Sequence, residues 1–423
     1  MPQRSEGPSE SPPRFHGALT PLNNPDYRRL LASNALWWQF MWMEIIVAGW
    51  LVLELTNSAW QVSLIGFYRM APLLLVGFVS GPLTDRFGRR KIIIFSQVVN
   101  LVVSLLIALI ILADRLAVWH LAVAALVMGT TWAVDWTARR SLLPDLVGRA
   151  RTMDAMLLEG ISQNITRVAG PFSSGALYAT LGPLGCFLIL TGIALASLLI
   201  LFRLSRQPVL EKTPTEASYW SRTVEGLRYI RRNPPILGVT LITITMNFLV
   251  FPYQTLLPVF ARDVLNQGPV GFGVLASANG VGAFAGLWMV SRLRRCVGIT
   301  WLYAAGSFLM AAAVVVFAMS IDFYLSLGLL FLSGIGHAAF GLLQSTIVLL
   351  SARDDMRSRA MGGIVLAIGT GPPGRLSAGA LAEHFGAPFA VGTTCAAAAL
   401  IVVAVTLAMS GFRNAPAARE ASA

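Results

Sequence analysis

Polar positions interrupt this chain only at long intervals, and the apolar runs between them have the length of membrane-spanning helices. Twelve runs stand out, over 30–56, 60–83, 91–113, 117–139, 154–180, 183–203, 236–261, 270–291, 299–319, 322–350, 360–383 and 387–411. A hydrocarbon core of ~30 Å takes about 20 apolar residues in helical form. Barrel strands would instead alternate over about ten residues, and these runs are longer and evenly apolar. The pattern predicts an all-α polytopic membrane protein with twelve transmembrane helices. The longest polar interruption, 204–235, divides the runs six and six. The expected organisation is a disordered N-tail over 1–27, a six-helix bundle over 28–203, a linker over 204–235, a second bundle over 236–412 and a tail over 413–423.

The N-tail is rich in Pro and Ser and lacks the charged-then-apolar order of a cleaved signal peptide, so the first run is expected to stay in the mature chain. Residues 218–232 admit two readings. One is an amphipathic helix on the membrane surface, with Trp220, Val224, Leu227 and Ile230 inward and Arg222, Arg228 and Arg231 toward headgroups. The other is a solvated linker.

Composition supports the membrane reading. The chain is 56% apolar and 12% charged, with mean hydropathy +0.68, too little polar surface for a soluble domain of this size. A net charge of +12 would suit a nucleic-acid partner until the cations are located. With the N-terminus inside, 27 of the 32 Lys and Arg fall in the tails and inner loops. Arg115 and Arg262 fall outside, and Arg69, Arg167 and Arg375 fall within apolar runs. That bias is the positive-inside rule, which places both termini in the cytoplasm. The basicity reports topology, and no nucleic-acid partner is expected. Cys186, Cys296 and Cys395 are scattered, with neither disulfide nor metal spacing. No metal or cofactor is expected.

The two bundles carry traces of one repeat. A shift of 204 residues lays Gly170 on Gly374, Ser173 on Ser377, Gly175-Ala-Leu177 on Gly379-Ala-Leu381 and Gly182 on Gly386. Arg149 falls on Arg353. Parallel repeats of this kind occur among transporters, and small residues let helix backbones approach closely.

The turn Gly81-x-Leu83-x-Asp85-Arg86-x-Gly88-Arg89-Arg90-Lys91 between runs two and three resembles the signature loop of the major facilitator superfamily. Further stretches resemble its drug and siderophore exporter branch, close to enterobactin exporters. They are Asn24-Pro-Asp-Tyr-Arg-Arg-Leu30, Asp135-Trp-Thr-Ala-Arg-Arg-Ser-Leu-Leu-Pro-Asp145, Leu256-Leu-Pro-Val-Phe-Ala-Arg-Asp-Val-Leu265 and Met356-Arg-Ser-Arg-Ala-Met361. The likeness covers nearly all of 24–412 and implies the major facilitator fold, a bacterial-type cytoplasmic (inner) membrane and a monomeric secondary transporter. Two features depart from the pattern. Run five keeps Gly160, Gly170, Pro171 and Gly175 of an antiporter-like motif but lacks the second glycine of its final pair. The counterpart of the 81–91 turn in the second bundle is reduced to Ser291-Arg-Leu-Arg-Arg295, without an acid.

Ionisable residues inside the runs point to mechanism, because each costs at least a few kcal/mol at mid-bilayer unless it faces protein or water. Glu44 lies about 18 Å below the outer end of run one, and Arg69 about 14 Å below that of run two, at a helical rise. Adjacent antiparallel helices bring them to similar depth. Two readings follow, a proton-coupling pair or a permanent bridge fixing the hairpin. Arg167 and Arg375, midway along runs five and eleven, suit an anionic substrate group or a carboxylate partner. His337 in run ten can titrate or make one structural hydrogen bond. Trp37, Phe40 and Met41 share the helix face of Glu44; with them the site would suit an apolar or cationic amphiphile, and lipid-facing packing is the alternative. Run seven offers Asn247, Phe251 and Gln254, with Pro252 expected to kink the helix.

At the inner end, the resemblance implies a gate in which Asp85, Arg89 and Asp135 form a charge cluster joining the two bundles. Gly81, Arg86, Gly88 and Arg90 complete the turn, Arg139 and Arg359 are supporting cations, and Glu159 stands nearby. The expected function is export of a small apolar or amphiphilic molecule by alternating access with proton antiport. A lipid or lysophospholipid flippase on the same scaffold is the alternative, and a non-transporting receptor is a further one. No enzyme motif is present: there is no His-Glu metal pair and no nucleophile with its base.

Overall fold

The computed structural model describes residues 19–205, 219–354 and 356–413; the side chains of 74–86, 149, 219–224, 358 and 413 lie outside the description. Most of the expected N-tail, the 206–218 part of the linker, the end of the C-tail and the side chains of Asp85 and Arg86 therefore fall outside it. Among the described residues the secondary structure is entirely helical. Helices α1 (Pro25–Thr56), α2 (Ala59–Phe87), α3 (Arg89–Leu112), α4 (Val118–Val147) and α5 (Thr152–Phe202) build the first half. After α6 (Tyr219–Arg232), the second half comprises α7 (Pro234–Thr245), α8 (Tyr253–Val259), α9 (Pro269–Leu293), α10 (Ile299–Met319), α11 (Phe323–Ser351), α12 (Arg357–Ile368), α13 (Gly371–Phe385) and α14 (Ala387–Ala408), with a last turn, α15 (Ser410–Arg413). Below, the end where α1 begins is the near end and the end where it stops is the far end.

Among the described residues nine helical segments are long and apolar enough to cross a membrane. One of them, α5, is two helices in line of sequence, because Gly182 breaks the ladder at φ 65°. A left-handed backbone favours glycine, and Pro183 follows directly. Its repeat partner Gly386 has φ 86° and separates α13 from α14 in the same way. Expected runs five and six are thus the two arms of α5, and run eleven is the pair α12 and α13.

The repeat also governs how the halves meet. Gly170 lies against the Cβ of Trp42 on α1, and Gly374 lies against the backbone of Phe248, on the segment that follows α7. Gly175 abuts Gly273 and the Pro269 carbonyl of α9, whereas Gly379 abuts Ser63 and Trp60 of α2. Each half therefore presses its fifth segment on the other half's second. A Cβ at Gly175 would collide with the Pro269 oxygen, so glycine there permits backbone contact.

Local chemistry sets the helix ends. Asn24 accepts from the amides of Asp26 (2.9 Å) and Tyr27 (3.3 Å) and precedes Pro25, a capped start with proline at the first helical position. Tyr27 donates to the Ala155 carbonyl at 3.0 Å, which ties α1 to α5. Helix α6 is formed, and Ile230 is buried against Gly363 of α12 while Leu227 is exposed.

Two spans are broken at mid-depth. Between α7 and α8 the chain takes a π-turn over Met246–Val250, in which the Phe251 amide bonds the Met246 carbonyl at 2.9 Å. Pro252 has no N–H to continue the ladder. The break between α12 and α13 falls at Gly369 and Thr370, just before Pro372 and Pro373.

Candidate functional site

The breaks in spans seven and eleven deliver side chains to the centre of the molecule. Arg69 on α2 donates from Nε to Glu44 Oε2 on α1 at 3.0 Å, and both residues are buried. The antiparallel depth match read from the runs is realised as a direct ion pair. Gly129 of α4 packs on the Arg69 carbonyl, so the pair is held by close backbone contact. A cavity of about 130 Å³ opens beside it, lined by Trp42, Glu44, Arg69, Gln254, Phe272 and Arg375 among others. Arg375 comes from the first turns of α13, across the boundary between halves. Among the described residues it has neither ion pair nor hydrogen bond.

A second cavity of about 70 Å³ shares Trp42, Ile45 and Gln254 and adds Arg167, Tyr253 and Asn279. Arg167 Nη2 donates to Asn279 Oδ1 at 2.7 Å and lies 3.1 Å from His337 Nδ1. Its guanidinium stands 5.8 Å from the Trp42 ring centre. Trp42 therefore separates two cationic pockets. Phe251 packs edge-on against His337 at 5.2 Å, and Asn247 spends its amide on the Thr243 carbonyl of its own helix at 2.9 Å.

Trp37, Phe40 and Met41 do not line either cavity. All three are buried, and Trp37 and Met41 pack with Trp38, Trp42, Trp132 and Trp136 in an aromatic cluster between α1 and α4. Sharing the face of Glu44 directs them into packing with neighbouring helices, because α1 is surrounded on most sides. Trp42 and Ile45, which the helical-face reading passed over, line the cavities instead. Ile45 is 39% exposed at mid-helix, the mark of a side chain facing a cavity or lipid.

The near end pairs its charges differently from the expected cluster between halves. Arg139 donates to Asp135 at 3.0 Å one helical turn away, and also to Asn34 Oδ1 at 2.6 Å and Ser33 Oγ at 3.1 Å on α1. Arg89 pairs with Asp145 and bonds the Ser141 carbonyl at 2.8 Å, both on α4. Arg90 bonds the Phe202 carbonyl at 3.1 Å, capping the end of α5. All of these contacts stay within the first half. Each guanidinium has a local partner within reach, although Arg139 Nη2 and Arg90 Nε remain buried without one. Arg359 pairs with Glu225 of α6 at 2.6 Å. Glu159 is buried within electrostatic reach of Arg140 and Arg139. Gly88 has φ 83°, which accounts for glycine at the start of α3. The backbone of Gly81 and Asp85 continues α2, but the Asp85 and Arg86 side chains are not described. In the antiporter-like motif, Gly170, Pro171 and Gly175 touch α1 and α9, whereas a Cβ on Gly160 would meet open space.

The far end carries bonds between halves that the sequence reading did not foresee. Glu383 of α13 accepts from the Trp60 amide at 2.9 Å and from Ser58 Oγ at 3.0 Å. Arg262 donates to the Leu53 carbonyl at 3.0 Å and Asn57 Oδ1 at 2.9 Å. Their signal in the sequence was rarity, since Arg262 is one of two cations assigned to outer loops.

This architecture is matched over residues 16–423 by the family described as transmembrane secretion effectors of the major facilitator type. The chain belongs to that family. It is a major facilitator superfamily transporter and an integral membrane protein. Among relatives of this transporter, the multidrug efflux pump Tap of Mycolicibacterium fortuitum is 25% identical over 356 residues, covering 81% of this chain and 86% of that one. The staphyloferrin A transporter of Staphylococcus aureus is 23% identical over 274 residues, covering 64% and 68%. The same fold is seen in a bacterial homologue of the human lysosomal transporter Spinster, in an inward-facing and unoccupied conformation, at TM-score 0.70 and 14% identity over 92% of this chain and 97% of that one.

Proposed function

We propose that this transporter exports small apolar or amphiphilic molecules across a bacterial cytoplasmic (inner) membrane by alternating access, as a monomer with both termini in the cytoplasm, coupled to proton entry. The observation that carries this reading is the chamber where the halves meet, with Glu44 and Arg69 buried and Arg375 half-buried around it. Charges placed there are expensive unless they serve an ion or substrate path. The far end is held by Glu383, Arg262 and the Gly175–Gly273 contact, so opening that end requires these to part. Alternating access needs such a breakable interface. Protonating Glu44 removes its ion pair with Arg69 and frees the guanidinium, which links proton binding to the chamber. Closure of the near end falls to the 81–91 turn, and Asp85→Asn is expected to slow turnover while sparing substrate affinity. The names of the relatives, a drug pump and a siderophore transporter, agree with efflux of varied small molecules.

The test is reconstitution in liposomes with a panel of fluorescent drugs, with and without an imposed proton gradient. Gradient-driven movement of at least one compound is expected. Flux indifferent to the gradient would overturn coupling, and absence of any flux would overturn transport. A second reading, movement of lysophospholipid, is favoured by one observation. A wholly apolar groove of about 450 Å³ lies between α5, α9 and α11, lined by Val168, Phe172, Val281, Leu327 and Phe331 among others. Including a labelled lysophospholipid in the panel separates the two, since a flippase would move it without the gradient.

A further inference from the structure

We infer that the cargo carries an acid: the paired cavities around Trp42 form a binding site for the carboxylate, or chemically similar anion, of an amphiphilic molecule. This deepens the exporter reading and rests on it.

The argument is a census of donors and acceptors. Three guanidinium groups, Arg69, Arg167 and Arg375, line the two cavities, and among the described residues Glu44 is the one carboxylate that does so. Arg69 uses Nε on Glu44, while its Nη1 is buried without a partner. The indole Nε1 of Trp42, which lines both cavities, is likewise buried and unpartnered. Arg375 has no partner among the described residues. The Asn279 oxygen is already taken by Arg167 at 2.7 Å. Gln254 and Thr255 offer neutral acceptors, but the site holds unused donors and two cations more than carboxylates.

Buried donors without acceptors are costly, and unbalanced charge in a membrane interior is costlier. A carboxylate supplies both deficits at once, because its two oxygens accept several hydrogen bonds, bidentate from a guanidinium. Arg375 lies near the start of α13, whose N-terminus adds positive partial charge at the same depth. Apart from Gln254 and Thr255, the rest of the lining is apolar, with Ile45, Ile46, Val62, Ile65 and Phe272 among it. Acid at one side and hydrocarbon at the other describe an anionic amphiphile. A cationic amphiphile, which Glu44 alone would invite, meets a carboxylate already paired.

The experiment uses the full chain purified in detergent, with binding of 2-naphthoate, 2-naphthamide and 2-naphthylmethylammonium followed by quenching of tryptophan fluorescence. Acetate serves as competitor. The naphthoate is expected to bind at least about tenfold tighter than the amide, as a charge-assisted pair requires. Acetate at equal concentration should not displace it. Arg375→Gln should erase the preference for the acid, and Arg375→Lys should retain part of it. Equal binding of acid and amide, or tighter binding of the ammonium compound, overturns the inference. So does displacement by acetate as effective as that by naphthoate, which would mark a site for a small counter-ion. The ligand comparison is made within the wild-type chain, so it stands even where a variant misfolds. Failure here leaves the exporter reading intact if the drug panel still moves in liposomes. Intact acid binding without flux of naphthoate or the panel would sink transport and leave the binding site.

Discussion

Two buried ion pairs, each 3.0 Å long, occupy the first half, and their surroundings differ. Asp135–Arg139 is an intrahelical pair one turn apart on α4, with a side-chain exposure of 0–1%, and its arginine is bonded further to Ser33 and Asn34 of α1. Glu44–Arg69 joins two helices beside a cavity, leaves Arg69 Nη1 unpartnered and has the unpaired Arg375 in the same lining. The first pair is enclosed by its own half and has no ligand to meet. The second borders space and stands among more cations than carboxylates. Both pairs leave a buried arginine nitrogen unpartnered, Nη2 of Arg139 and Nη1 of Arg69, so neither burial nor an unsatisfied atom alone marks a working charge; bordering a cavity with an excess of cations does.

The enclosed pair should break with the largest effect. Asp135→Ala leaves the Arg139 charge buried with only neutral acceptors, a loss of about 3–5 kcal/mol. Thermal unfolding in detergent and yield from membranes should both fall sharply. Replacing both partners, Asp135→Ala with Arg139→Met, should recover much of that loss. If the single variant is as stable as wild type, the pair is not the structural clamp described here, and the contrast collapses.

The cavity pair should behave in the opposite way. Glu44→Gln keeps an acceptor for Arg69 at nearly the same shape beside a cavity, so folding should lose less than in Asp135→Ala, about 1–3 kcal/mol. Proton-driven efflux should fall by at least about tenfold, and the remaining flux should lose its dependence on the gradient. Gradient-driven flux at the wild-type rate would return Glu44 to a hairpin bridge and move the coupling role elsewhere, with His337 next in line through its contact with Arg167.

The same contrast explains what was legible in the sequence. Glu44 and Arg69 were found because depth along a helix is linear in residue number, so two charges on neighbouring helices declare their level. The repeat from Gly170 to Gly374 and from Gly182 to Gly386 was legible because glycine at a close contact or a left-handed turn has few substitutes. The cavity face of α1 was not. Trp37, Phe40, Met41 and Trp42 are all large and apolar, and α1 is packed on most sides, so no polar stripe separates the face toward the cavity from the face toward α4. Partner choice at the near end was also hidden. Arg89 has Asp145 within reach on α4, a residue 56 positions away that periodicity cannot bring to its side. The bonds of Glu383 and Arg262 across the halves join residues more than 200 positions apart, and only the assembled fold reveals them.

Those far-end bonds give the smallest expected effect and sharpen the comparison most finely. Glu383 is exposed and Arg262 partly so, and exposed polar contacts contribute about 0.2–1 kcal/mol. Glu383→Gln should therefore raise opening of the far end by about two- to fivefold. The measurement is maleimide labelling of a cysteine placed at Ile45, which lines the chamber, with the exposed Cys296 replaced by serine; Cys186 and Cys395 are buried. Arg262→Gln should add a similar factor, and the two should multiply, because they anchor different helices and share no partner. Glu383 grips Ser58 and Trp60 at the start of α2, whereas Arg262 grips the end of α1. Unchanged labelling in both variants would assign closure to the glycine packing of α5 on α9 and of α13 on α2. Gly175→Val would then be the change that opens the chamber, since its side chain must displace the Pro269 carbonyl. Either outcome separates a seal made of hydrogen bonds from one made of backbone packing, and so decides which kind of contact must part for the chamber to open.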